Sequence, residues 1–168
     1  MDKKEFLKVS KEYLLANGFV KRTDNKYFCI TSDVVVEIMF QHSIYYKGYY
    51  INCRVKPIAA FPNEDVMEDL YSKADVIFFR LMGLGKCPDL AVYQELSADE
   101  YLKKLQTQMD KLVFPFINGG TEYIVRNFDE PIAAHYAQMM FPAGVAKITA
   151  FIKEYKKTHK IEKEHSKM

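Results

Sequence analysis

The chain has 168 residues, of which 49 % are apolar and 27 % charged, and its formal net charge is +2. This length and composition exclude an intrinsically disordered chain and predict one folded domain that needs neither disulfides nor a metal to build its core. Residues 153–168 hold six Lys and three Glu, which leaves the rest of the chain at about −1, so we expect no dedicated nucleic-acid surface.

The apolar runs of the chain are short. The segment Met1–Glu5 lacks the apolar stretch of a signal peptide, and clusters such as Val76–Phe79 are too short to span a bilayer. We therefore expect a cytoplasmic protein that does not insert into a membrane. The cysteines, Cys29, Cys53 and Cys87, are widely spaced and form no C-x-x-C pair, so we expect no disulfide, no zinc site and no cofactor.

The start of the chain predicts a helix followed by strands. Asp2–Asn17 has apolar residues at helical spacing, and Gly18 suits the left-handed position that often follows a helix. Lys26–Thr31 is a candidate strand after the turn-like pair Asp24–Asn25.

The strongest strand signal is a hairpin. Asp33–Ser43 is rich in β-branched and aromatic residues, Lys47–Gly48 supplies a turn, and Tyr49–Pro57 returns as the second strand. One side of this hairpin is apolar and is expected to pack, whereas the other side is polar and is expected to meet water or a ligand. Beyond it, Glu64–Lys73 predicts a short helix. Asp75–Met82 predicts a fourth strand, although its apolar spacing also fits a continuing helix.

The second half of the chain predicts helices. Ser97–Glu100 is a capping box, in which the two side chains bond each other's backbone N–H groups. An apolar stripe follows it: Leu102, Leu105, Met109, Leu112 and Phe116. Pro115 is expected to kink or end this helix and Gly119–Gly120 to close the segment, while Pro142 begins the last helix.

This order of elements predicts an α+β fold. We expect an N-terminal helix, an antiparallel β-meander of three to four strands, and C-terminal helices that pack on one sheet face. The predicted domain spans residues 1–155, and residues 156–168 are expected to form a basic, frayed tail.

No catalytic or phosphate-binding motif is complete in this sequence. Gly83–Lys86 has two glycines and a lysine, but Cys87 and Pro88 stand where a phosphate loop needs Ser or Thr and a helix. The four histidines have no metal-ligand spacing. The segment Gly83–Lys86 is therefore interpreted as a turn.

Four polar residues are predicted to project from one side of the hairpin strands, namely Glu37, Gln41, Asn52 and Arg54. Such a cluster is a candidate binding site for a polar ligand or a protein. The alternative is a solvated face in which cross-strand pairs such as Glu37 with Arg54 hold each other.

The second candidate is the turn of the same hairpin. Tyr45 and Tyr46, with Tyr49 and Tyr50 beyond the turn, place four tyrosines around its end. Tyrosine is enriched in protein interfaces because it brings a large contact area at a small loss of entropy. Structural cross-strand packing of these rings is the alternative.

The hairpin also carries a family resemblance. Val36–Ser43, followed by Tyr49–Val55, resembles the bacterial proteins known as domain of unknown function 4304. The likeness extends to the opening helix that ends at Gly18–Phe19 and to the Glu100–Phe116 helix, and it covers most of residues 1–130. The resemblance implies a small cytoplasmic bacterial protein without an established activity. By analogy with orphan families encoded beside toxin systems, it implies an immunity-like role.

These patterns favour a non-enzymatic domain that binds a protein partner through the Tyr-rich hairpin and the polar sheet face. A small hydrolase with a cleft near His42, Gln41 and Arg80 is the first alternative. A homo-oligomer is the second, joined through a sheet edge or through a helical stripe of Ile132, Tyr136 and Met139.

Overall fold

The computed structural model describes residues 1–60, 77–127 and 142–159. Its helices are α1 (Lys3–Ala16), α2 (Ala98–Gln108), α3 (Phe114–Asn127) and α4 (Pro142–His159). Its strands are β1 (Val20–Thr23), β2 (Lys26–Ile30), β3 (Val34–His42), β4 (Gly48–Pro57), β5 (Ile77–Arg80) and β6 (Ala91–Val92). The predicted α+β class, with an N-terminal helix before the sheet and helices after it, is confirmed.

The strands form one antiparallel sheet in the order β1-β2-β3-β4-β5, with β6 pairing the start of β4. This sheet is larger than the predicted meander because it includes β1 and β6. Strand β1 is exposed along its whole length, so it lacks the alternating pattern of a half-buried strand. Strand β6 has two residues, too few to leave a periodic signal. The strand predicted over Asp75–Met82 is observed as β5.

Helices cover one face of the sheet, and that face holds the core. The strand residues buried there alternate along β2 to β5, as the apolar side of the hairpin predicts. They are Tyr27, Val34, Val36, Ile38, Phe40, Tyr49, Ile51, Cys53, Val55, Ile77 and Phe79. We call this the apolar face of the sheet and its reverse the polar face.

Helix α1 begins and ends where its sequence predicts. The Asp2 side chain accepts a hydrogen bond from the Glu5 N–H at 2.8 Å, which caps the N-terminus. At the other end Gly18 has φ 83°, and the Phe19 N–H bonds back to the Leu14 carbonyl at 3.0 Å. The ring of Phe6 anchors the helix on the sheet, with its centroid 5.3 Å from that of Tyr49.

The capping box of α2 is present, and the helical path continues past Pro115. A π-helical turn over Met109–Val113 lies just before this proline, which has no N–H to give to a preceding carbonyl. The break comes instead at Gly120, whose φ of 52° and ψ of −139° are non-helical. The Asp33 carboxylate lies against the Gly120 Cα, where a Cβ would stand 2.6 Å from Oδ2.

Helices α3 and α4 complete the cover of the apolar face. The Phe116 ring of α3 stacks on Phe79 of β5 at 5.9 Å, and Ile148 and Ile152 of α4 are buried in the same core. Among the described helices, none is long and apolar enough to cross a membrane. Helix α4 continues through His159. The helix predicted over residues 64–73, the stripe around Tyr136 and the tail over 160–168 lie outside the described residues.

Candidate functional site at the end of the β3–β4 hairpin

The register of β3 and β4 brings the four predicted polar residues to the polar face. Glu37 lies directly opposite Arg54, and Gln41 lies opposite Tyr50. The Asn52 side chain reaches along the strand pair and donates from Nδ2 to Gln41 Oε1 at 3.0 Å. The cluster predicted from alternation therefore exists as a set of neighbours on one side of the sheet.

The centre of this polar face is buried. Glu37 and Asn52 are 0 % exposed and Arg54 is 7 % exposed. The expectation that this face is open to water is therefore wrong at its centre. Glu37, Asn52 and Arg54 do not form a contact surface in this conformation, and of the four residues only Gln41 is exposed.

Glu37 is a buried carboxylate with unusual surroundings. Its Oε1 lies 3.3 Å from Arg54 Nη1, but neither carboxylate oxygen accepts a hydrogen bond from a group in the described parts of the chain. Burial raises the pKa of Glu37 above its ordinary value, while the positive charges of Arg54 and Lys26 oppose the rise. The predicted cross-strand pair is present as a buried ion pair rather than a solvated one.

Beside this buried centre lies a partly exposed group of side chains that we call the polar rim: Gln41, Tyr50, Arg80 and Asp89. Arg80 donates from Nε to Asn52 Oδ1 at 3.1 Å and from Nη1 to Asp89 Oδ2 at 2.9 Å. Its guanidinium carbon lies 4.4 Å from the centroid of the Tyr50 ring, a cation–π contact. The buried amide of Asn52 thus orients both Gln41 and Arg80.

The turn between β3 and β4 presents apolar side chains to solvent. We call residues Ile44–Lys47 the hairpin tip. The exposed fractions are 85 % for Ile44, 79 % for Tyr45 and 59 % for Tyr46. The interpretation of Tyr45 and Tyr46 as packed cross-strand rings does not fit these values, whereas Tyr49 is buried in the core.

The backbone of the hairpin tip is held in place by the residues that flank it. The Ser43 hydroxyl accepts hydrogen bonds from the N–H groups of Tyr45 and Tyr46 at 3.3 and 3.2 Å. The Ser43 N–H bonds the Gly48 carbonyl at 3.0 Å, and the Gly48 N–H bonds the Tyr46 carbonyl at 2.8 Å. The tip therefore combines exposed side chains with an ordered backbone.

His42 is not brought together with the other residues of the alternative cleft. It lies opposite Tyr49 on the apolar side of the hairpin, and its ring packs edge-on against Tyr49 at 5.1 Å. Gln41 and Arg80 project from the polar face, so the sheet separates them from the imidazole. The three side chains do not line one cleft.

An open groove of about 380 Å³ lies between the loop at Gly83 and helix α2. Its lining residues are Gly83, Glu100, Lys103, Lys104, Thr107 and Gln108, none of which belongs to the predicted site. Hydrogen bonds from Ser97 lower the pKa of the Glu100 carboxyl, which is the opposite of what a general acid needs. The lowered pKa disfavours Glu100 as a general acid in this groove.

Reasoning from the sequence missed part of this site. Ile44 was detectable as an apolar residue beside two tyrosines in a turn, which is a signal of an exposed apolar patch. Asp89 was not detectable, because it comes from a long loop whose path across the sheet no local pattern encodes. Tyr50 and Arg80 were placed near the site, but their contact with each other was not foreseen.

Comparisons with protein-family models, with curated proteins and with solved structures gave no match. The resemblance to the domain of unknown function 4304 therefore stays a prediction from the sequence.

Proposed function

We propose that the protein is a non-enzymatic domain that binds a protein partner through the hairpin tip and the adjoining polar rim. The observation that carries the proposal is the exposure of Ile44, Tyr45 and Tyr46 on a turn whose backbone is fixed by Ser43. A contiguous apolar patch on an ordered loop costs solvation free energy when it stays bare, and such patches typically mark interaction sites.

The geometry of the tip suits binding for an energetic reason. Association loses free energy when flexible loops and side chains become ordered, so a loop that is ordered beforehand loses less. Tyrosine adds a large contact area with few rotatable bonds. If Tyr45 and Tyr46 form the centre of an interface, truncating each of them costs about 2 kcal/mol, or roughly 30-fold in affinity.

The predicted site residues take two roles in this proposal. Tyr45, Tyr46 and Gln41 contact the partner. Asn52 is buried and orients the polar rim through Gln41 and Arg80, while the buried Glu37 and Arg54 pair with each other beside it. The resemblance to the bacterial family supports a finer proposal, an immunity-like role in which the partner is a toxin.

Affinity capture from the native lysate tests the proposal. The wild type is compared with the double variant Tyr45→Ala, Tyr46→Ala and with Val20→Ala, which removes an apolar side chain that is 69 % exposed on edge strand β1. We expect a protein that is retained by the wild type and by Val20→Ala but lost from the double variant.

The same experiment separates the proposal from its rivals. A protein retained equally by all three baits contradicts the proposed tip surface. Recovery of the chain itself, together with a doubled mass in solution, favours the homo-oligomer. An empty capture contradicts docking of a protein on the hairpin tip.

A further inference from the structure

The polar rim contains an arginine that is oriented but only partly used. Arg80 engages Asn52 through Nε and Asp89 through Nη1, and its side chain is 31 % exposed. A guanidinium has further N–H donors, and those of Arg80 have no partner among the described residues. The exposed Gln41 amide accepts from Asn52, and its own N–H groups likewise have no described partner.

We propose that Arg80 and Gln41 form a carboxylate subsite beside the hairpin tip, so that the partner's contacting segment is an acidic peptide. This inference rests on the proposed function and names the chemistry of the partner. A guanidinium donates charge-assisted hydrogen bonds to carboxylates, and the second terminal nitrogen of Arg80, Nη2, has no partner among the described residues.

The orientation of Arg80 is set before any ligand arrives. Asn52 is fully buried and holds Nε, while the Tyr50 ring lies under the guanidinium at 4.4 Å. Long side chains usually lose rotamer freedom when they bind, and here the sheet has already imposed most of that loss. A carboxylate therefore gains a charge-assisted hydrogen bond at a reduced entropic cost.

The subsite and the hairpin tip lie within reach of one short segment. Gln41 is three residues before Ile44, a span of roughly 10 Å along an extended strand. An extended peptide covers that distance in about three residues. A segment that carries Asp or Glu about three residues from an aromatic or aliphatic residue would engage Arg80 and the hairpin tip together.

Two opposite charges of the polar rim act on an incoming anion. Arg80 is positive, and Asp89, with its side chain 41 % exposed, is its paired counter-charge. An incoming carboxylate is attracted by Arg80 and repelled by Asp89. The affinity for an acidic segment should therefore change in opposite directions when Arg80 and Asp89 are neutralised one at a time.

The experiment uses a displayed library of random linear peptides, selected on the full chain. The most enriched peptide is then synthesised with a fluorophore, and its binding is measured by anisotropy. We expect enriched sequences that pair an acidic with an aromatic or aliphatic residue. Arg80→Gln should weaken binding about tenfold, and Asp89→Asn should strengthen it roughly two- to fivefold.

Arg22→Gln is the matched control, since it removes the same charge from an exposed residue on β1. Thermal unfolding of each variant checks that it folds. If Arg80→Gln does not fold, the affinity of Asp89→Asn still tests the inference. The inference is overturned if Arg80→Gln binds like Arg22→Gln, if Asp89→Asn leaves the affinity unchanged, or if no acidic peptide is enriched. The inference is also overturned if, in a library treated so that its peptides carry phosphate groups, only the phosphorylated peptides are enriched.

These results are distinguishable from a failure of the proposed function. Peptides that lose affinity with Tyr45→Ala but not with Arg80→Gln contradict the carboxylate subsite and leave docking at the tip intact. Peptides whose affinity neither substitution changes contradict both.

Discussion

The hydroxyl of Ser43 is the element on which the order of the hairpin tip depends. It is 2 % exposed and accepts from two consecutive backbone N–H groups, at 3.3 and 3.2 Å. We predict that Ser43→Ala loosens the turn while leaving Ile44, Tyr45 and Tyr46 in place. The side chains that we assign to binding then remain present but lose their fixed presentation.

The expected loss of stability follows from these contacts. A net contribution of about 0.5–1.5 kcal/mol is typical for one hydrogen bond. Both bonds are long, and the released N–H groups lie on exposed residues that water can reach, so the lower half of this range applies. We therefore expect the free energy of unfolding to fall by about 1–2 kcal/mol for the two bonds, and the melting temperature by roughly 2–8 °C.

Urea unfolding measures this loss, with Ser32→Ala as the control. The Ser32 hydroxyl donates to Asp33 Oδ1 at 3.0 Å on the exposed surface, so its removal should change stability by less than about 0.5 kcal/mol. Ser43→Ala should also weaken the peptide binding described above. A Ser43→Ala protein as stable as Ser32→Ala would refute the reasoning that this hydroxyl orders the tip.

Three further predictions concern the core and the buried charge. Gly120→Ala should lower the free energy of unfolding by about 2 kcal/mol or more, because the position combines a positive φ with a clash against Asp33. Gly18→Ala also has a positive φ but open space around it, so it should lower the stability less, and equal losses in urea unfolding would contradict this. Phe6→Ala should cost about 3–5 kcal/mol by the same measurement, since the ring is 0 % exposed, and a loss below about 1 kcal/mol would show that the ring does not anchor α1. The pKa of Glu37 is higher in the folded state than in the unfolded state, so the folded state binds this proton more readily. The stability that Glu37 contributes is therefore present below its ordinary pKa of 4.5 and is lost as pH rises through the folded pKa. Glu37→Gln should remove that decline, and a parallel pH dependence of stability in wild type and variant would contradict it.

The fold was largely predictable from local patterns. The ends of α1, the capping box of α2 and the β3–β4 hairpin each depend on side chains that act within a few residues of one another. The continuation of the helix through Pro115 was not predictable in the same way. It depends on a π-helical turn that accommodates the proline and on core packing of the surrounding helix, which are not local properties.

The site was predictable only in part. Alternation correctly placed Glu37, Asn52 and Arg54 on one face, because the side-chain period of a strand is fixed by its geometry. Burial of that face was not predictable, since polar side chains in alternation normally indicate a solvated surface. The contact of Arg80 with Asp89 depends on the tertiary path of a loop, which no periodicity encodes.

Photo-crosslinking tests the central claim, docking of a protein on the hairpin tip, most directly. A benzophenone amino acid replaces Tyr45 in the full chain, and a second protein carries it at Val20 on the exposed edge strand. Both are irradiated in native cells. The proposal predicts a discrete heavier adduct with one other protein from position 45 and none of that adduct from position 20. Irradiation that yields no adduct at position 45, or the same adduct at both positions, would contradict it.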